Sequence, residues 1–536
     1  MSQRIEVLLR RYKDAKTRGM TWEDHFEDIY DYFMPNRNIA KQSAPGEKHN
    51  VHLYDSIGVL ATRSFVAALH TGLTPPGLQW LELMPGTNIK DTDPNYDHIK
   101  EALKEVTDII FDVIEASNFK LAINEAYYDL AVGTGALVVN EGPIDNPLIF
   151  SAVPLLRIYP EAGIKGDIET IWRDFRKFPL RNVKRTWPQA KLSDGLATLL
   201  EQDPNAKVDL IEGTIFNPDK KKFEYIVIEQ RAKSLIVDQL IRSSPWIVFR
   251  AFKRADEVYG RGPADQALPT MATLNEVVAD ELKAARLRSN PIFMGASDGI
   301  FNPHTINLEP WSIIPINPTS IGQLPMEAVP MGGDPKFGEV QIERLQEMIN
   351  KIFFSQPLGP LDPNSNLTAT EVMLRNQEQL EQKIPFVSRL QFELLDKLTQ
   401  RIVFVLTKKG IIPNIVVDGK EVSLKYKSPL IQTQGLQNVN RSVQLAQTTQ
   451  SIFGPQLSVM GLNANEWFEY LAENLDVDPK LVKSVQELDA LGEQASEAAQ
   501  QQPQLPGAPT GGLPQGMSPQ QPASSTQQQP TMGGQQ

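Results

Sequence analysis

Apolar residues in the first third of the chain recur every three or four positions. Thr21-Trp22-Glu23-Asp24 reads as a helix start, a hydroxyl cap followed by acids, and that helix ends before Pro35. Tyr54 to Leu73 carries Ile57, Leu60, Ala61, Phe65, Ala68 and Leu69 on one face, which predicts a second helix. Leu78 to Leu83 reads as a strand, and Tyr96 to Ser117 and Lys120 to Val132 as two further helices. Gly133-Thr134-Gly135 then leads into a strand, Ala136 to Val139.

From about Leu148 to Phe252 the period becomes two. Ile168-Glu169-Thr170-Ile171-Trp172-Arg173-Asp174-Phe175 alternates, as does Phe223 to Ile228 behind the turn Asn217-Pro218-Asp219-Lys220. A short helix around Pro179 to Leu200 interrupts the hairpins. The fold class expected is α+β, predominantly helical.

Helical spacing then returns. Gly262-Pro263 opens a helix with proline at its first position, running to about Ser289. Its stripe is Ala267, Met271, Leu274, Val278, Leu282 and Ala285, over roughly 40 Å. Residues 290–334 hold seven prolines and short apolar runs, and read as extended. A second helix runs from Pro335 to about Phe354, with Val340, Leu345, Met348, Ile349, Ile352 and Phe353 expected inside. Ser355 to Asn366 carries three prolines and one charge, Asp362. Thr368-Ala369-Thr370-Glu371 is a capping box, and its helix continues to about Leu406 with a bend at Pro385. A short β segment, Ile411 to Tyr426, and helices from Val439 to Leu491 follow.

Composition adjusts this picture at the end of the chain. Residues 492–536 contain no aromatic residue, Lys or Arg, and are rich in Gln, Pro and Gly, so a disordered tail is expected. The remainder is about three domains' worth of chain. A formal charge of -12 argues against a protein that grips nucleic acid by a basic footprint. The absence of cysteine excludes disulfides and thiolate-bound metal. No apolar run reaches the ~18–20 residues of a membrane span, and the charged start, MSQRIEVLLRRYKDAKTRG, does not read as a secretory signal.

Candidate chemistry is sparse, and neither a cofactor nor a metal is expected. Gly295-Ala296-Ser297-Asp298-Gly299 matches the nucleophile elbow of hydrolases, with His304 nearby. Ile300-Phe301-Asn302-Pro303 forbids the helix that must follow the serine, so a turn is the preferred reading. His49 and His52 lack a third ligand. Gly260-Arg261-Gly262-Pro263 offers a phosphate cradle or, preferably, a plain helix start. Lys220-Lys221-Lys222 reads as a solvated hairpin tip. Lys283, Arg286 and Arg288, near a helix C-terminus, complement its dipole or, in many copies around a pore, form a ring of cations together with Lys351.

The order of these elements resembles the portal proteins, or head-to-tail connectors, of short-tailed bacteriophages. The resemblance is also local. Glu115-Ala116-Ser117-Asn118-Phe119 leading to Leu130 through Leu137, Tyr259-Gly260-Arg261-Gly262 followed by Leu274-Asn275, Leu367 through Val372, and Lys427-Ser428-Pro429-Leu430 are similar to the family's motifs. Ile431 stands where the last motif has alanine. The similarity spans roughly residues 1 to 490.

The resemblance implies a homo-oligomeric ring of twelve copies at a capsid vertex of the virion, assembled in the bacterial cytoplasm. Its partners would be double-stranded DNA passing through, the capsid protein, the terminase motor and a tail adaptor, and no membrane. It implies a wing (residues 1–262), stem helices (263–289 and 335–354), a clip (290–334), a tunnel loop (355–367), a long wing helix (368–406), a crown or barrel region (407–491) and a tail (492–536). Ser355, Gln356, Pro357, Leu358, Asp362, Asn364 and Asn366 would line the tunnel. Trp311, Ile313 and Ile314 would meet clip partners, and Thr368 and Glu371 would cap the wing helix. Two alternatives stay open: another virion structural or scaffold-like protein, and a serine hydrolase using Ser297.

Overall fold

A computed structural model describes residues 2–39, 53–89, 93–164, 166–289, 293–295, 326–328, 335–354, 385–415 and 421–428, with scattered residues between 417 and 471. The chain divides into two compact units, residues 1–438 and 439–536. In the second unit the described residues are few and helical, as at 442–445. All that follows concerns the first.

Four helices come first: α1 (Ser2–Phe33), α2 (Ile57–Gly72), α3 (Tyr96–Ala116) and α4 (Phe119–Val132). Thr21 does not begin a helix. It lies inside α1, and its hydroxyl donates to the carbonyl of Arg18 at 2.8 Å. The continuous helix is compatible with Gly19 because glycine is needed there: a Cβ would lie 2.6 Å from the ring of Tyr159. Leu60 on α2 is 51% exposed, so the buried stripe is Ala61, Phe65, Val66 and Leu69. The predicted strand at Leu78 sits three residues later, as β1 (Leu81–Pro85), paired antiparallel with the distant β12 (Val422–Tyr426).

Two sheets fill the middle of the chain. β2 (Thr134–Glu141), β3 (Leu148–Ala152) and β9 (Trp246–Arg250) form a three-stranded sheet in the order β3-β2-β9. β4 (Ile158–Ala162), β5 (Ile168–Pro179), β6 (Lys207–Asn217), β7 (Lys222–Glu229) and β8 (Ser234–Ile241) form a five-stranded antiparallel meander. Because side chains alternate along a strand, Tyr225 and Val227 face one side of it and Ile226 and Ile228 the other. The first side packs on two short helices, α5 (Val183–Thr186) and α6 (Asp194–Gln202), through Val183, Trp187 and Leu196. The second packs on α1 through Leu8, Tyr12 and Ala15. The predicted single helix at Pro179 to Leu200 is thus two pieces. Lys220 and Lys221 sit in the turn between β6 and β7, and Lys222 pairs with Asn217.

Two long helices follow, α7 (Pro263–Ser289) and α8 (Pro335–Ile352). Between them the described residues are a short antiparallel ladder of β10 (Phe293–Gly295) and β11 (Met326–Ala328). Beyond, α9 covers residues 385–390, a π-helical stretch covers Gln391–Asp396, and α10 (Lys397–Lys408) completes the run. The ladder therefore widens inside what the pattern predicts as one α-helix bent at Pro385. Among the described residues of the predicted β segment 411–426, Val422–Tyr426 is strand. The fold is mixed helix and sheet, and no helix among the described residues is long and apolar enough to cross a membrane.

Candidate functional site

The α7–α8 pair is rooted at one end and projects at the other. Ala264, Ala267, Met271 and Leu274, in the first half of α7, are fully buried. Ile349 and Phe353, at the end of α8, are equally buried. At the opposite ends Leu282 is 47% and Val340 58% exposed, and Leu287 and Ala285 are exposed too; Met348, beside the buried Ile349 at the rooted end, is also exposed. Leu282, Ala285, Val340 and Met348 were expected inside. The apolar stripes continue past the point where the body of the same chain can cover them.

The root is held by polar and aromatic contacts. Asn275 accepts the backbone N–H of Tyr54 at 2.7 Å, and the Gln346 amide donates to Asp55 at 2.8 Å, so one strap ties both helices. Phe353 packs on Phe33 and Phe65, with centroids 5.4 and 6.1 Å apart, and Phe65 also meets Phe386 at 5.9 Å. The chain therefore leaves α8 and re-enters at α9 on the same aromatic cluster, a contact that no local pattern shows.

The start of α7 explains the glycines. Gly260 N–H donates to Thr134 Oγ1 at 2.8 Å, and Gly262 N–H to the carbonyl of Val132 at 2.9 Å. A Cβ on Gly133 would lie 2.0 Å from the Gly260 carbonyl oxygen, and one on Gly260 2.4 Å from that of Gly133. The two Gly-x-Gly stretches, far apart in sequence, pass backbone against backbone. Arg261 is occupied by Glu257 at 2.8 Å and Asp265 at 3.3 Å, and its guanidinium lies 4.9 Å from the Trp22 ring centroid. This is the plain helix start, with its cation neutralised.

The expected cations on the projecting ends are partly spoken for. Lys283 pairs with Asp280 and Arg288 with Glu281, each at 2.9 Å. Arg286 and Lys351 are exposed, with no carboxylate in salt-bridge range among the described residues. Glu339, Glu343 and Glu347 recur every four residues on the exposed side of α8. This surface does not concentrate positive charge.

Sequence reading missed the buried ion pair beneath the π-helical stretch. Arg250, on β9, donates from Nη2 to Glu393 at 2.7 Å and from Nε at 3.1 Å, and both side chains are under 5% exposed. The Arg250 backbone N–H also donates to Glu393, at 2.9 Å. Arg401 is likewise buried, donating to the carbonyls of Val139 and Ser243. Both tie the long helix to the three-stranded sheet. No local pattern along that helix marks which of its charges are buried.

The tunnel residues Ser355, Gln356, Pro357, Leu358, Asp362, Asn364 and Asn366 lie outside the described residues. So do Thr368 and Glu371, Trp311, Ile313 and Ile314, Ser297, His304, His49 and His52, and the tail from 492. Of the elbow motif only Gly295 is described, as the end of β10.

A projecting helix pair on an α+β body is an arrangement that marks a subunit of an assembly more than an enclosed reaction site. Comparison with known proteins gives the class. The family model for bacteriophage head-to-tail connecting proteins matches residues 6–482, and the chain belongs to that family. Among its relatives, a probable portal protein of Bordetella phage BPP-1 is 23% identical over 506 residues, covering 89% of this chain and 88% of the relative. A portal protein of Salmonella phage epsilon15 is 23% identical over 530 residues, covering 92% of each.

Proposed function

We propose that the chain performs head-to-tail connection as a closed ring of twelve copies at one capsid vertex, with α7 and α8 as the stem around a DNA channel. The observation that carries this is the projecting α7–α8 pair, whose apolar residues Leu282, Leu287 and Val340 remain uncovered within one chain. In a heterologous ring the flank of each stem packs on its neighbour, so a stripe exposed in one copy is buried in the assembly. Residues 290–334 form the clip that meets the terminase motor and the tail adaptor, through Trp311, Ile313 and Ile314. Residues 355–367 form the tunnel loop, and the helix capped by Thr368 and Glu371 anchors it.

Charge supports passage without retention by phosphate contacts. Every phosphate neutralised by Lys or Arg adds counterion-release affinity, and twelve basic stems would hold the duplex. Here Lys283 and Arg288 are paired on their own helix, α8 carries Glu339, Glu343 and Glu347, and the loop Ser355 to Asn366 has one acid and no base. Arg286, Arg344 and Lys351 are the exposed cations left to face DNA, as sparse rings. The role is structural, and Ser297 takes no part in chemistry. Replacing residues 355–366 with a Gly-Ser stretch of equal length tests the assignment. Capsids carrying the variant should package DNA and then lose it. Normal retention would remove the tunnel role from this loop.

A further inference from the structure

An open groove of about 1010 Å³ lies between α10 and the edge strands β8 and β9. Ile171, Trp246 and Val248 help line it, and one face of α10 supplies Lys397, Arg401, Phe404 and Lys408. Those four recur at i, i+4, i+7 and i+11, one side of a helix. Four cations and two carboxylates line the groove, on a chain whose net charge is -12. Arg401 and Lys408 reach Glu141 at 3.7 and 2.7 Å. Lys397 has no carboxylate in salt-bridge range among the described residues, and burial holds its ammonium below the ordinary lysine value. Cations thus outnumber carboxylates along the groove, although Glu393 and Asp167 partly offset the charge of Lys397, and the balance favours an acidic occupant.

The exposed face of α3 carries the matching pattern. Glu101, Glu105, Asp108 and Asp112 repeat the same i, i+4, i+7 and i+11 series, with Lys104 the cation among them. Ile109 beside them is 37% exposed. Asp108 accepts from Gln79 at 2.8 Å, while Glu101, Glu105 and Asp112 have no cation in salt-bridge range among the described residues. A heterologous ring needs two different, mutually complementary surfaces on every copy. Copies of strong like charge repel overall, so local complementarity must set the register.

We propose that the acidic face of α3 in one copy docks in the α10 groove of the next, fixing the register of the ring. This rests on the ring reading above and names the surfaces that make it. The native sequence lacks cysteine, so site-directed crosslinking has a clean background. The full chain carrying Glu105→Cys and Gln400→Cys is assembled and treated with a short bis-maleimide. Dimers and higher covalent multimers should appear on a denaturing gel for the double variant and for neither single variant. A second arm reverses charge at exposed positions. Arg242→Glu with Lys408→Glu should lower the assembled fraction at least tenfold, and adding Glu105→Lys with Asp112→Lys to the same chain should restore it. Assembled rings that do not crosslink, or a reversal that leaves assembly intact or goes unrescued, would overturn the docking while leaving the ring reading in place. A wild-type chain that never assembles would overturn both.

Discussion

Asp129 is the carboxyl whose surroundings most clearly set its chemistry. It is fully buried in α4, where burial pushes its pKa up to about 6, partly offset by Arg37 and by the Tyr30 hydroxyl that donates to it at 2.8 Å. Below about pH 4 the group is protonated in both the folded and unfolded chain. As pH rises toward 6 the unfolded chain ionises first, so stability falls, by about 2–3 kcal/mol in all. Asp129→Asn should therefore be more stable than wild type at pH 8, with the gap closing toward pH 4 in urea melts. A gap independent of pH would contradict the assignment. Glu393 matters through its buried ion pair with Arg250. Glu393→Gln leaves Arg250 without its carboxylate in a dry site, and should cost about 3–5 kcal/mol. Neither role is legible in the sequence, because burial of a charge is decided by partners 99 and 143 residues away.

At the scale of elements, local chemistry was a good guide where the determinant is local. Pro263 at the first helical position places the start of α7, and Asn217-Pro218-Asp219-Lys220 places the β6–β7 turn. It failed where tertiary contacts decide. Thr21 looks like a cap, but α1 runs through it because its whole length lies on the sheet and the core. The π-helical stretch at Gln391–Asp396 lies where Glu393 meets Arg250. The Gly133–Gly260 crossing is likewise invisible to periodicity, and it gives a sharp expectation. Gly260→Ala would drive a methyl into a backbone carbonyl that cannot move aside, and should destabilise by about 3 kcal/mol or more. Gly195→Ala, at an exposed helical position with open space, should be neutral or slightly stabilising. Phe65 is the other test at this scale. Phe65→Ala should cost about 3–5 kcal/mol and raise protease cleavage within residues 355–384, because both ends of that segment lean on its ring. Cleavage at the wild-type rate would separate the cluster from that segment.

For the whole molecule, a pattern that looks wasteful in one chain becomes economical in a ring. Apolar stripes on α7 and α8 outrun their own core, and an acidic helix face and a cation-rich groove sit on one body. The order of elements made the family legible before any coordinates, since each motif is weak alone but their succession is specific. The surfaces proposed to join copies were not legible, because the i, i+4, i+7 and i+11 series on α3 and α10 stands out only once one is seen to line a groove and the other to face outward. The most direct measurement of the central claim is the mass and shape of the purified chain, by mass photometry with negative-stain imaging. The account predicts a ring with an open centre and a mass of about 720 kDa, twelve chains of 59.9 kDa. A compact dimer with a closed centre would contradict it.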